Sequence, residues 1–365
     1  MNKLSLFNGI YKGKKVLVTG DTGFKGSWLS VWLKELGAEV YGYALPAKTE
    51  KDNFVRCNLE NIIIHKDGDI RDKDKLMKYF QDVRPDFAFH LAAQPLVLES
   101  YENPHYTFET NLMGTVNFFE AARKTENVKA AINITSDKCY HNNEWIWGYR
   151  ENEPMGGDDP YSASKGCSEL ITNAYLKSFF NKDSICNIAS ARAGNVIGGG
   201  DWAENRIVPD FFRALEKNNE LNIRNPHSTR PWQHVLEPLS GYLWLGSKLS
   251  EDGERFSGSW NFGPLEAANR SVIDLINSMS DILGKGRYLI ADNKEIHEAG
   301  LLKLDISKAV KYLEWYPALN FTETIQFTLS GYIAETDNSD VYGSRIKQIE
   351  NYVAVAQNHK IKWSV

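Results

Sequence analysis

Lys14-Lys15-Val16-Leu17-Val18-Thr19-Gly20-Asp21-Thr22-Gly23-Phe24-Lys25-Gly26 leads directly into Ser27-Trp28-Leu29-Ser30-Val31-Trp32-Leu33-Lys34-Glu35-Leu36-Gly37. The first part reads as a short buried strand running into glycines at every third position, Gly20, Gly23 and Gly26. Trp28, Leu29, Val31, Trp32, Leu33 and Leu36 then recur at helical spacing, and Gly37 ends the helix as a left-handed cap. Residues 39–45 read as the next strand. Strand, glycine turn, helix and strand open a doubly wound parallel sheet. The early glycines let the backbone turn tightly and approach a pyrophosphate, and the last lets the helix pack on the strand. The helix amino terminus offers free N–H groups to the anion. Asp21 puts a carboxylate beside that anion. The second strand ends in Tyr43-Ala44-Leu45, with no acid for a ribose hydroxyl and no arginine for a 2′-phosphate, so NAD and NADP both remain open.

Further strands are expected at 62–65, 87–91, 130–134 and 185–191, with helices between them, notably 107–124 and 162–180. Short apolar strands alternating with amphipathic helices make an α/β Rossmann-type sheet covered on both faces. The texture changes after Asn195, where Gly198-Gly199-Gly200-Asp201-Trp202 gives way to short strands, Arg/Asn/Pro turns and many aromatics. The expected organisation is a dinucleotide-binding domain over 1–194 and a smaller mixed α/β substrate lobe over 195–365, with interleaved segments. The whole chain has 365 residues, 42% hydrophobic and 24% charged, which excludes collagen-like and disordered classes. A net charge of −5 lacks the basic face of a nucleic-acid binder. No apolar run reaches the ~20 residues of a membrane span, and the amino terminus lacks a secretory pattern. Cys57, Cys139, Cys167 and Cys186 have neither metal-ligand nor disulfide-framework spacing. A reduced, cytoplasmic protein is expected.

Three further stretches carry chemistry. Tyr161-Ser162-Ala163-Ser164-Lys165 places a phenol and an ammonium on one helix face. The ammonium is expected to favour the phenolate, lowering a reference pKa of about 10, and a phenolate near neutrality can take a proton from a sugar hydroxyl. Ser136-Asp137-Lys138 follows the strand 130–134 and belongs at the carboxyl end of the sheet, where open α/β folds bind ligands. Ser136 can hydrogen-bond a reacting oxygen, with Asp137 and Lys138 as an acid/base pair. Arg192, Arg224 and Arg230 suit a diphosphate, and Trp202 or Trp232 a ring face. His90, His227 and His297 stand isolated, and no residue set has metal spacing. In the run 66–72, Asp69 follows an apolar strand and is placed near adenine.

Together these residues resemble the extended short-chain dehydrogenase/reductase family. The likeness spans nearly the whole chain. It is carried by Gly23–Ser30, Leu91-Ala92-Ala93-Gln94-Pro95-Leu96-Val97, Thr110–Val116, Thr135–Tyr140, Tyr161–Lys165, Gly194–Ala203 and Arg230–Pro238. The Ser-Asp-Lys triplet resembles the sugar-nucleotide dehydratases. Gly-Gly-Gly-Asp-Trp and Arg-Pro-Trp-Gln-His-Val resemble their CDP-glucose branch. The resemblance implies that Gly20, Thr22, Gly23, Phe24 and Gly26 hold NAD, with Asp69 and Ile70 near adenine. Leu91, Ala92, Ala93, Gln94 and Asn111 line it. It implies Ser136, Tyr161 and Lys165 as the redox core, and Asp137 and Lys138 at the dehydration positions. Asn195, Arg206, Arg224, Arg230 and His234 fall on the substrate side, with CDP-D-glucose as partner. The C5 proton would leave to Lys138 or to a water or carboxylate that it positions. It also implies deoxysugar supply for surface polysaccharide, and a homodimer built on helices 107–124 and 162–180. A nucleotide-sugar 4-epimerase or 4-ketoreductase, or a non-catalytic dinucleotide binder, are the alternatives.

Overall fold

Strand β1 (Lys15–Thr19) is buried at every position after its first. Val16 and Val18 face one side of the sheet and Leu17 the other, so each layer of helices finds an apolar surface. The turn that follows is too tight for a side chain. Gly20 has φ +75°, and a Cβ there would lie 2.6 Å from the Ala92 nitrogen. Helix α1 (Phe24–Glu35) begins after Gly23. At Gly26, in its first turn, a Cβ would meet the Gly20 carbonyl oxygen at 2.1 Å. The computed structural model describes residues 3–180, 184–265, 268–290, 300–337 and 340–365.

The sheet continues through β2 (Glu39–Ala44), β3 (Ile64–Asp67), β4 (Phe87–His90), β5 (Ala130–Ile134) and β6 (Asn187–Arg192). A seventh strand, Gly258–Asn261, lies beside β6. The order is Gly258–Asn261, β6, β5, β4, β1, β2, β3, with all neighbours parallel. Val18 lies opposite Gly42 on one side and Phe89 on the other. The strand order reverses between β1 and β4, which opens a crevice at the carboxyl ends of the strands. Trp28, Trp32, Trp244 and Trp260 are fully buried on the α1 side, each side chain of this kind contributing roughly 2–3 kcal/mol.

The expected strand at 62–65 begins two residues later. Ile63 is buried ahead of the strand, and Ile64 is its first paired residue, opposite Tyr41. As the sheet edge, β3 tolerates the polar His65, Lys66 and Asp67. The helix expected over 107–124 is interrupted by a wider π turn, Glu109–Met113, between Pro104–Phe108 and Gly114–Arg123. The helix expected over 162–180 is Pro160–Ser178, capped by Asp159 accepting from the Ser162 N–H.

Beyond residue 195, Ile197, Phe211, Phe212, Trp232, Leu275 and Tyr332 form a second core. The helix Leu236–Glu251 and the strand Gly258–Asn261 return to the main sheet. Trp232 belongs to that second core, with its indole N–H donating to the Arg270 carbonyl at 3.0 Å. It is therefore no cover for a ligand ring. Among the described residues, no helix is long and apolar enough to cross a membrane.

Candidate active site

The glycine turn after β1 and the Leu91–Gln94 stretch after β4 meet where the strand order reverses. The Asn111 amide fastens this edge. Its Oδ1 accepts from the Gln94 N–H at 2.9 Å, and its Nδ2 donates to the Gln94 carbonyl and to Ser164 Oγ at 2.8 Å. The π turn thus ties the loop after β4 to the helix that carries Tyr161. Thr22 Oγ1 donates to the Leu45 carbonyl at 2.8 Å, pinning the glycine loop to the end of β2. Phe24 lies half-buried beside Gly198. Asp69 is gripped by Arg71, whose hydrogen bonds hold the carboxyl below its usual range, and Ile70 is buried beneath Gly114.

Asp21 does not face the anion position. Its side chain is fully buried over Gly42, where a Cβ would meet Oδ2 at 2.1 Å. Oδ2 lies 2.7 Å from His65 Nδ1. Burial raises the Asp21 carboxyl and His65 pulls it back. Burial works against the His65 imidazolium, but hydrogen bonds with Asp21 and Asp67 outweigh it, so its pKa rises. The sequence reading missed His65 because the pair joins β3 to the first loop across the intervening strand β2.

Ser136, Asp137 and Lys138 follow β5 on a short 3-10 turn (Asp137–Cys139). Ser136 Oγ donates to Asp137 Oδ1 at 2.9 Å and accepts from the Lys138 N–H. Asp137 Oδ2 is buried against Gly194 with no partner among the described residues. Tyr161, in the first turn of the helix Pro160–Ser178, is buried. Burial pushes its phenol up to about 12, while a hydrogen bond with Ser136 and the Arg206 charge pull it down. This corrects the spacing argument. Desolvation outweighs the help that the chain itself gives, and the opposing charges are Ser136's neighbour Asp137 and Asp159. Burial lowers Lys165 to about 8, with Glu169 holding it up.

Glu169 sits one helical turn beyond Lys165. Its carboxylate accepts from Thr135, from Ser190 at 2.6 Å, from Arg192 at 2.7 Å and from Ser259 at 3.2 Å. Arg192 is thereby bound to Glu169 and to the Tyr140 hydroxyl, and is only 2% exposed. It is a structural cation beneath the sheet end and not a diphosphate contact. Glu169 had no motif of its own in the sequence, because its partners come from three separate strands.

Of the substrate-side residues, Arg206 is the one whose charge bears on Tyr161. It pairs with Asp201 at 2.9 Å, the charge that raises its pKa most, and acts on both Tyr161 and Lys25. Asn195 adopts φ +48° just after β6, and its carbonyl accepts from the Gln233 N–H. Arg230 donates to the Thr229 and Gly300 carbonyls at the paired strands Thr229–Pro231 and Asn269–Ser271. Arg224 is exposed. His234 lies with Phe24 against Gly198. It is completely buried, edge-on to Trp28 and Phe327, and burial lowers it to about 3, keeping it neutral. His297 lies outside the described residues. Trp202 donates its indole N–H to Glu335 and stands edge-on to Tyr332.

A glycine cradle at the strand reversal, with Ser136, Tyr161 and Lys165 beside it, defines an extended short-chain dehydrogenase/reductase. The chain belongs to the GDP-mannose 4,6 dehydratase family, whose profile matches residues 17–328. It is 48% identical, over 349 residues, to the CDP-glucose 4,6-dehydratase of Salmonella typhimurium, covering 94% of this chain and 97% of that one. It is 26% identical to the CDP-paratose 2-epimerase of Salmonella typhi, over 86% and 97% of the two chains. Among solved structures, the UDP-glucose 4-epimerase of Brucella ovis in complex with NAD superposes with TM-score 0.74 at 20% identity, covering 88% of this chain and 98% of that chain. The epimerase Mth375 of Methanothermobacter thermautotrophicus gives TM-score 0.77 at 23% identity, over 90% and 94%.

Proposed function

We propose that this chain converts CDP-D-glucose to CDP-4-dehydro-6-deoxy-D-glucose and water. The observation that carries the reading is Asp137. It is a buried carboxyl, bonded to Ser136 and with its second oxygen unpartnered among the described residues, in the same chamber as Tyr161 and Lys165. The 48% identity to a CDP-glucose 4,6-dehydratase supports the same substrate. Redox chemistry alone needs no such acid, whereas elimination of a C6 hydroxyl does.

The glycine turn fits a dinucleotide pyrophosphate. At Gly20 and Gly26 a side chain would fill the space that lets backbone come close. Gly20, Thr22, Gly23, Phe24 and Gly26 would hold NAD there, with Asp69, Ile70 and the Leu91–Gln94 stretch toward its adenosine side and Lys165 at the nicotinamide ribose. Bound NAD supplies reversible hydride acceptance, from C4 of the sugar and back to C6. Tyr161 takes the C4 hydroxyl proton. Ser136 donates to the C4 oxygen and stabilises the charge that develops on it. The C4 ketone acidifies C5, and Lys138, directly or through a water it positions, takes that proton. Asp137, in its protonated form, delivers a proton to the departing C6 hydroxyl, which leaves as water, and C5 is reprotonated as C6 is reduced. Arg206 and Arg230, with Asn195, hold the nucleotide diphosphate.

We further place the protein in the cytoplasm and as a homodimer. On the helices that would pair, Leu170 and Met113 are 57% and 50% exposed. A monomer mass by light scattering would refute the dimer. The catalytic test is incubation with CDP-D-glucose in deuterated water. The product should be lighter by one water, carry deuterium at C5 and carry the former C4 hydrogen at C6. Product of unchanged mass would install a 4-epimerase instead, and C4 label lost to solvent would remove the internal hydride shuttle.

A further inference from the structure

Asp137 has one engaged oxygen and one idle one. Oδ1 accepts from Ser136 Oγ, while Oδ2 packs on Gly194, where a Cβ would lie 1.8 Å from it. Two more buried polar atoms in this part of the chain have no partner among the described residues: the Gln233 amide oxygen and the Tyr242 hydroxyl. All three residues are at most 3% exposed. The Gln233 amide is fixed, because its nitrogen donates to the Gly194 carbonyl at 3.0 Å and to the Phe262 carbonyl at 3.2 Å. Its oxygen is left over as an acceptor that cannot trade places with the nitrogen. Tyr242 stands edge-on to the same Phe262, with ring centroids 5.8 Å apart. Both Tyr242 and Gly246 lie on one face of the helix Leu236–Glu251, and a Cβ at Gly246 would meet Ile132 of β5 at 3.5 Å. That helix leads into the parallel strand Gly258–Asn261 and runs back against the sheet as a crossover does. Tyr242 therefore lies toward the carboxyl end of β5, below the turn that carries Asp137, and Asp137 is the charge that bears on its phenol.

We propose that Tyr242 and Gln233 hold a water against Asp137 Oδ2, and that Tyr242 acts through it as a positioning residue for the dehydration step. The inference rests on the dehydratase reading above. The three atoms match a single water. It accepts from the Tyr242 O–H, which leaves both of its hydrogens to donate, one to Asp137 Oδ2 and one to the Gln233 oxygen. About three hydrogen bonds to otherwise unpaired buried groups is what such a water makes, and three such groups left unpaired in one place is an arrangement that folded proteins avoid. The water bears on the reaction because Asp137 changes charge. As its proton passes to the C6 hydroxyl, which leaves as water, the carboxyl becomes a carboxylate that solvent scarcely reaches. A donor behind Oδ2 stabilises that charge as it forms, and Tyr242 keeps the donor aimed. Oxidation at C4 makes no call on this oxygen, since Tyr161, Ser136 and Lys165 carry it. Tyr242 is thus tied to one half of the reaction.

Tyr242→Phe removes the hydroxyl and keeps the ring on Phe262. Intact protein loaded with NAD is mixed with CDP-D-glucose in a single turnover, with absorbance following the rise and decay of reduced cofactor and mass spectrometry of quenched samples following loss of water. In the variant, cofactor reduction should keep the wild-type rate, while loss of water should slow roughly tenfold or more, so that reduced cofactor persists. A crystal structure of the wild type should show a water within hydrogen-bond distance of Tyr242 Oη, Gln233 Oε1 and Asp137 Oδ2, and that of the variant should show it lost or moved. Equal slowing of both steps would leave Tyr242 a structural role only and overturn the proposal. Water loss at the wild-type rate, or wild-type density without that water, overturns it as well. The wild-type crystal structure decides alone if Tyr242→Phe does not fold. A wild-type protein that leaves CDP-D-glucose intact removes the dehydratase reading, and the crystal structure still decides the water site separately.

Discussion

Glu169→Gln should destabilise the protein far more than its distance from any reacting atom would suggest. Glu169 gathers Thr135 from the end of β5, Ser190 and Arg192 from β6, and Ser259 from the seventh strand onto the helix that carries Tyr161 and Lys165. Burial alone would raise its carboxyl, but Arg192 and these hydroxyls outweigh that and hold it below its usual value. The amide keeps the shape and removes the charge, leaving the Arg192 guanidinium at 2% exposure without a counter-ion. Breaking one partner of a buried pair costs about 3–5 kcal/mol. At about 2 °C per kcal/mol for a chain of this size, the melting temperature should fall by roughly 6–10 °C. Replacing both partners, Glu169→Gln with Arg192→Met, removes the uncompensated charge and should recover most of the loss. Differential scanning fluorimetry at fixed scan rate reads both variants. A single variant within about 2 °C of wild type, or a double variant no more stable than the single, would refute the reasoning.

The other expectations concern the site itself. Gly26→Ala forces a Cβ to 2.1 Å from the Gly20 carbonyl oxygen, so it should cost about 1–3 kcal/mol and abolish NAD binding, with undiminished affinity in a titration counting against the cradle. Protonated Lys165 is the form that holds a ribose, and burial lowers it to about 8, so kcat should decline above about pH 8. Glu169 raises Lys165, so Glu169→Gln should move that decline to lower pH, and a shift upward would contradict the assignment. Tyr161→Phe should lower cofactor reduction by at least ~10²-fold, measured as absorbance in a single turnover. Lys138→Ala should permit that reduction but block loss of water, and a Lys138→Ala protein that still releases dehydrated product at the wild-type rate removes Lys138 from the mechanism.

What could be read from the sequence was what short spacing determines. Gly20, Gly23 and Gly26 announce a tight turn because strand and helix flank them within a few residues, and Tyr161 and Lys165 share a helix face wherever that helix lies. Side chains whose roles depend on distant segments could not be read this way. His234 follows a tryptophan and a glutamine in a stretch that resembles a substrate contact, yet it is enclosed by Trp28 from α1 and Phe327 from the helix Phe321–Thr336. Arg192 precedes the glycine-rich loop and looks available to phosphate, until Glu169 and Tyr140 are brought onto it. Asp21 looks like a flaw in an anion site, until the chain turns it down over Gly42 to His65.

Tyr161 shows most plainly why spacing was insufficient. A lysine one turn away is visible in the sequence, but the burial that the same helix imposes is not, and burial is the larger effect on the phenol. The chain offsets it only in part, with one hydroxyl from Ser136 and one guanidinium from Arg206. The same burial lowers Lys25 and Lys165, leaving amines that lose protons close to neutrality beside a phenol that holds its own. A chamber with those opposed shifts is far from the protonation states that oxidation of an alcohol needs. Neighbouring charge acts on these groups in fixed directions: an anion beside Lys165 favours its ammonium form, and positive charge near Tyr161 favours the phenolate. A ligand that brings such charges therefore makes its affinity depend on pH, and the pH dependence of ligand affinity should be read alongside that of turnover.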